Sequence, residues 1–98
     1  MANAFKRDAN GWWVELKVGE TKDFGHDWSA ELGTDSVQNS TWSAETGITV
    51  STPQVIGAVA SAFFSGAAEG VTKWIDNTIT TVGGRVIKES FRIVGKLR

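Results

Sequence analysis

Two runs decide the fold class: Val71-Thr72-Lys73-Trp74-Ile75-Asp76-Asn77-Thr78-Ile79-Thr80-Thr81 and Arg85-Val86-Ile87-Lys88-Glu89-Ser90-Phe91-Arg92-Ile93-Val94, joined by Val82-Gly83-Gly84. Both are rich in β-branched side chains, which are stiff at χ1 and sit best on a pleated surface. Paired glycines between such runs allow the positive φ of a tight primed turn, so the chain closes with an antiparallel hairpin. The same bias holds throughout. Valine, isoleucine and threonine number 26 of the 98 residues, against four for leucine and methionine. Eleven glycines, with many Ser, Asn and Asp, supply turns at short intervals. An all-β, two-sheet antiparallel sandwich is therefore expected.

Working back from the hairpin, Gln54 to Ala68 is Ala-rich and could be drawn as a helix. Gly57, Val59 and Phe63-Phe64 favour a loop followed by a strand, bounded by Gly66 and Gly70. Ile48 to Ser51 reads as a short strand ended by Pro53, which cannot donate to a ladder. Ser36 to Ser43 alternates with no obvious buried face, and Trp42 is expected to point to the core. Phe24 to Leu32 reads as a strand ending at Gly33-Thr34-Asp35. Trp12 to Val18 places Trp12, Val14, Leu16 and Val18 on one face and Trp13, Glu15 and Lys17 on the other. With no repeat, low-complexity run or linker, the expected organisation is an N-terminal arm over 1–11 and one domain over 12–98.

Ten Lys+Arg against eleven Asp+Glu leave a net charge of −1, too little to attract nucleic acid or an anionic membrane by long-range field. The absence of cysteine excludes disulfides, thiolate catalysis and Cys-based zinc sites. The longest apolar stretch, Val55 to Ala68, contains Ser61 and Ser65 and is shorter than the ~20 residues of a spanning helix. Phe5-Lys6-Arg7-Asp8 lacks the apolar core of a signal peptide. A soluble chain with neither nucleic acid nor membrane as partner is expected.

Catalytic groups are sparse. His26 is the only histidine and no Gly-x-Ser-x-Gly elbow accompanies it, so a structural or surface role is the better reading. Asp23 and Asp27, four apart, would lie ~13 Å apart on one strand face, too far to share a metal. Glu31 and Asp35 show the same spacing and read as solvated or as turn caps. Gly66, Gly70, Gly83 and Gly84 form no phosphate cradle. No enzyme activity, metal or cofactor is expected. Arg85, Lys88, Arg92, Lys96 and Arg98 make the last strand basic on one side, as a contact for nucleic acid or, more ordinarily, as an edge that discourages stray strand pairing.

Tryptophan is the unusual feature. Five Trp (12, 13, 28, 42 and 74) exceed what so small a core can take, so one or two belong at a surface. Adjacent strand residues face opposite sides, so Trp12 and Trp13 cannot both enter the core. Either one anchors a partner, as Trp does at binding hot spots, or both are covered by loops or by the N-terminus. Trp12, Trp13, Phe5 and Trp74 are the candidate interface residues.

The order Asp27-Trp28-Ser29-Ala30-Glu31-Leu32-Gly33, Asp35-Ser36-Val37-Gln38-Asn39-Ser40-Thr41-Trp42, then Thr46-Gly47 and Ile48-Thr49-Val50, resembles small proteins of tailed bacteriophages. Phe64-Ser65-Gly66 with Gly70, Asn77-Thr78-Ile79-Thr80-Thr81, Gly84-Arg85 and Ser90-Phe91 continue the likeness, which covers roughly Phe24 to Val94. The family is the phage fibre-tail adaptor type. The resemblance implies an immunoglobulin-like antiparallel β-sandwich of about seven strands. It also implies a structural virion protein of the tail or neck, made in the host cytoplasm and joining other tail, connector or fibre proteins as multiple copies in a symmetric ring. Two departures stand out. Lys73 occupies the family's usual Tyr position with Trp74 displaced by one, which implies a bulge or altered packing, and the Trp12 to Val18 run is not clearly shared, reading as an added strand or arm. Rival functions are a carbohydrate-binding module that uses exposed Trp rings, and a head decoration protein.

Overall fold

The computed structural model describes residues 5–98. Eight strands and one helical turn follow in the order β1 (Lys6–Asp8), β2 (Gly11–Lys17), β3 (Lys22–Asp27), α1 (Ser29–Leu32), β4 (Val37–Ala44), β5 (Thr49–Ile56), β6 (Val59–Ser65), β7 (Thr72–Thr81) and β8 (Val86–Lys96). A five-stranded sheet, β1-β2-β8-β7-β4, packs on a three-stranded sheet, β3-β6-β5. The chain is an all-β sandwich. Every pairing is antiparallel except β2 with β8, which run parallel. Of the N-terminal arm, residues 1–4 lie outside the described residues, and Lys6–Asp8 turn back onto β2 as β1.

The hairpin that decided the class is the spine of the larger sheet. β7 and β8 pair without interruption from Thr72 opposite Val94 to Thr80 opposite Val86. Lys73 and Trp74 sit in unbroken register, so the family departure there is one of packing and not a bulge. The two turn glycines serve different ends. Gly84 takes the positive φ, at 91°. Gly83 is small because Asp35 lies against it: a Cβ there would meet Asp35 Oδ2 at 2.7 Å, and its N–H donates to Asp35 Oδ1.

Alternation then fills the space between the sheets. Val14 and Leu16 of β2, Ile75 and Ile79 of β7, Phe91 and Ile93 of β8 and Phe64 of β6 are all buried. Phe91 lies at the centre, with Phe5, Phe64, Trp42 and Phe24 rings at 4.8, 5.8, 6.3 and 6.5 Å between centroids. Edge-to-face pairs of this kind add about 0.5–1.5 kcal/mol each beyond the area they bury. Trp42 packs against both this cluster and a second one made of Trp28, Leu32, Ala60 and Ile79, as its expected inward direction requires.

Three sequence expectations are corrected. The run from Phe24 to Leu32 is not one strand: β3 stops at Asp27 and Ser29–Leu32 forms the turn α1. Asp27 Oδ1 accepts from the Ser29 N–H, and the Trp28 carbonyl accepts from the N–H groups of Glu31 and Leu32. Trp28 and Leu32, four apart, both point inward, a spacing strand and helix share, but Ala30 between them is exposed, as a helical turn and not a strand requires. Pro53 does not end its strand. β5 runs on to Ile56, with the ladder shifted between Ser51 and Gln54 and Thr52 at a φ of 48°, so the proline sits at a bulge on a sheet edge, where its missing N–H costs no ladder bond. The basic β8 is not an edge; it lies between β2 and β7, so its charges do not guard against strand pairing.

Two polar clusters lock the layers. The indole Nε1–H of fully buried Trp28, at the end of the small sheet, donates to Asn77 Oδ1 of β7 at 2.9 Å. Asn77 Nδ2 donates in turn to Ser40 Oγ and the Thr41 carbonyl of β4. At the hairpin end, Arg85 donates to Asp35 Oδ2 and to the carbonyls of Glu31 and Leu32, pinning α1 to the β7–β8 turn. The Thr81 hydroxyl, the N–H groups of Ser36 and Gly83, and Arg85 hold the Asp35 carboxyl down at about 2. His26, buried and edge-on to Trp28 at 4.4 Å, is shifted the same way by burial, against the opposing pull of Glu89 and Glu31.

Two outcomes follow. Trp28→Phe leaves the Asn77 oxygen without its buried donor and a gap beside it, and is expected to lower unfolding stability by about 2–4 kcal/mol in urea titration. Both titrating groups have folded pKa values below their unfolded ones, so the stability each contributes is present at high pH and lost on acidification. The loss starts below 6.5 for His26 and runs from 3.8 down to about 2 for Asp35. In an unfolding series, Asp35→Asn should flatten the lower window and leave the upper one intact; Asp8 and Asp27, also lowered, retain part of the acid slope.

Candidate interface on the larger sheet

Register decides which side chains stand together on the outer face of the five-stranded sheet. Counting outward from the β7–β8 turn sets Trp74 opposite Arg92. The parallel pairing sets Trp13 opposite the same Arg92 from the other side, and β1 adds Lys6 opposite Trp13. A single row, Lys6, Trp13, Arg92 and Trp74, thus crosses four strands, alternating cation and indole.

The row is held from several directions. Lys6 Nζ lies 4.9 Å from the Trp13 ring and Arg92 Cζ 5.6 Å from that of Trp74, contacts worth about 0.5–1 kcal/mol each where exposed. Arg92, whose side chain is only 13% exposed, also pairs with Asp8 and donates to the Gly11 carbonyl. That bond lowers the Asp8 pKa and ties β1 to the centre of the sheet. Glu45 accepts from the Trp74 backbone N–H, which holds the strand there, and Lys6 pairs with Glu15 at 3.6 Å. Trp74 remains 41% exposed, the largest apolar side chain this face offers to solvent. Its orientation is set before any partner arrives, which lowers the ordering cost of docking.

The four residues singled out in the sequence take different places. Trp13 and Trp74 share the row. Trp12 points to the opposite side of β2, packs against the core and carries Arg7 at 5.2 Å. Phe5 is a core residue, buried against Phe24 and Phe91, and presents no surface to a partner. In the sequence Arg92 is one of five basic residues near the C-terminus, with nothing to set it apart. The hairpin count alone sets it against Trp74; its second tryptophan depends on the parallel β2–β8 pairing, which no local pattern announces.

A rigid sandwich with a preset aromatic and basic face, and with its polar side chains spent on locking the layers, has the character of a structural interaction module. The sequence model of one family, described as podophage GP4 fiber-tail adaptor protein gp77, matches residues 17–94, and the chain belongs to that family. It is a structural adaptor of a bacteriophage tail, and so a component that meets other tail proteins. A search of curated proteins finds no match. The match begins at Lys17, so Trp12 and Trp13 lie before it while Trp74 and Arg92 lie within it.

Arg92→Met should release β1: amide hydrogen exchange at Lys6–Asp8 is expected to accelerate while the β7 amides keep their protection. Unchanged exchange at these three residues would show that Arg92 does not anchor β1.

Proposed function

We propose that the chain joins tail, connector or fibre subunits at the phage tail or neck, as repeated copies in a symmetric ring, and that the row Lys6-Trp13-Arg92-Trp74 is its docking surface. The observation that carries the reading is Trp74, 41% exposed with the Arg92 guanidinium against its ring and its backbone N–H held by Glu45, on the outer face of the larger sheet. Trp is enriched among residues that dominate binding energy, above all where it is preoriented. The family supports the tail assignment, and symmetric repetition is the ordinary state of assembled virion parts. A sugar platform made by Trp12 and Trp13 together is not favoured, since the two rings face opposite sides of β2.

Trp74→Ala should leave the fold in place, with a stability change within about 1 kcal/mol, because the site is exposed. Phage carrying this variant are expected to contain at least tenfold less of the protein in purified particles, read by quantitative mass spectrometry. Normal occupancy would remove Trp74 from the docking surface.

A further inference from the structure

At the end of the sandwich away from α1, β8 is gripped from both sides. Leu16 and Lys17 of β2 stand opposite Gly95 and Lys96, and the Val18 N–H donates to the Lys96 carbonyl. On the β7 side the preceding loop folds back: the Gly70 N–H donates to the Gly95 carbonyl, and the Gly95 N–H donates to that of Val71. Only a glycine allows this approach, since a Cβ on Gly95 would run into the Ala68 backbone. Where loop and strand part, an open cavity of about 410 Å³ is lined by Glu69, Gly70, Val94, Lys96, Leu97 and Arg98. Leu97 is exposed, as are Val18 and Val71, the residues bonded to β8 on either side.

The charge here is unbalanced. Lys17 and Lys96 lie directly opposite on strands ~4.8 Å apart, both exposed, and Arg98 adds a third cation. Like charges side by side repel, yet among the described residues none of the three forms an ion pair. The acids that could answer them are spent: Glu15 pairs with Lys6, while Glu20 pairs with Lys22 and accepts from the Lys17 backbone N–H. Glu69 stands in the cavity wall, one carboxylate against three cations. Guarding a sheet edge does not account for Lys96, because β8 is an interior strand.

We infer that this cavity docks an acidic, extended segment of a different tail protein, with carboxylates on Lys17, Lys96 and Arg98 and an apolar side chain against Val94 and Leu97. Charge complementarity names the occupant: a segment of opposite sign relieves the repulsion that the free chain carries. The lining favours a peptide over nucleic acid, since none of its residues is aromatic and so able to stack on a base, and Glu69 opposes a phosphate backbone. The site lies ~13 Å along β8 from Arg92 and does not depend on the tryptophan row. A protein that joins components needs a contact for each, and the cavity is a second, chemically distinct one.

The test is amine acetylation and carbodiimide cross-linking of purified phage particles, read by mass spectrometry. Acetylation labels lysines open to solvent, and the carbodiimide joins a lysine amine to a carboxylate in contact with it. Lys17 and Lys96 are expected to be acetylated readily in the isolated chain, to be protected in particles, and to be cross-linked there to Asp or Glu of a different protein. Amines as reactive in particles as in the free chain would overturn the inference. So would cross-links to other copies of this chain alone, or protection that is lost when opened particles are digested with nuclease, which would assign the site to nucleic acid. Of two double variants checked for folding by circular dichroism, Lys17→Gln with Lys96→Gln should be depleted from particles, and Lys17→Arg with Lys96→Arg, which keeps the charge, should be present at the normal level. If Trp74→Ala is depleted while the glutamine variant is not, the tryptophan row stands and the cavity docks no partner.

Discussion

The hydrogen bond from Trp28 to Asn77 is the constraint on which the rest of the sandwich depends. It is the point where the end of β3 in the small sheet, the turn α1 and two strands of the large sheet meet away from water. An indole N–H and a carboxamide buried in an apolar interior are costly unless each satisfies the other. The layers can therefore close in one alignment only, with β3 ending where Trp28 reaches β7. The Arg85–Asp35 clamp secures the same turn from outside, so α1 is fixed at both ends.

This arrangement gives a structural part to the residues that carry the sequence resemblance. Asp27-Trp28-Ser29, Asp35, Ser40-Thr41, Asn77, Thr81 and Gly84-Arg85 are scattered in sequence, yet together they form the two interlocked polar clusters. They are marks of the fold. Trp74 and Arg92 lie outside those clusters, on the outer face of the larger sheet.

Much of the fold was legible because the relevant signals are local. The β7–β8 hairpin follows from two β-branched runs and a Gly-Gly turn, and the inward set of β2 follows from simple alternation. What misled was segments where two periods coincide. Asp27, Ser29 and Glu31 alternate with Trp28, Ala30 and Leu32 as a strand would, but the Asp27 side chain accepts from the Ser29 amide two residues on and the chain turns into α1. Pro53 reads as a stop, and whether it ends a strand or sits in a bulge depends on its being at an edge, a tertiary fact. The candidate site was half legible. Adjacency alone placed Trp12 and Trp13 on opposite faces, while the burial of Phe5 and the second neighbour of Arg92 arise from strand pairings between distant parts of the chain.

The central claim is that this sandwich is a repeated tail component whose larger sheet is covered through Trp74. Cryo-electron microscopy of the intact phage, with the chain traced in the density, tests it most directly. The account predicts repeated copies at the tail or neck with the Trp74 face buried against a neighbour. Copies at that position with Trp74 open to solvent, or particles with no copy at all, would contradict it.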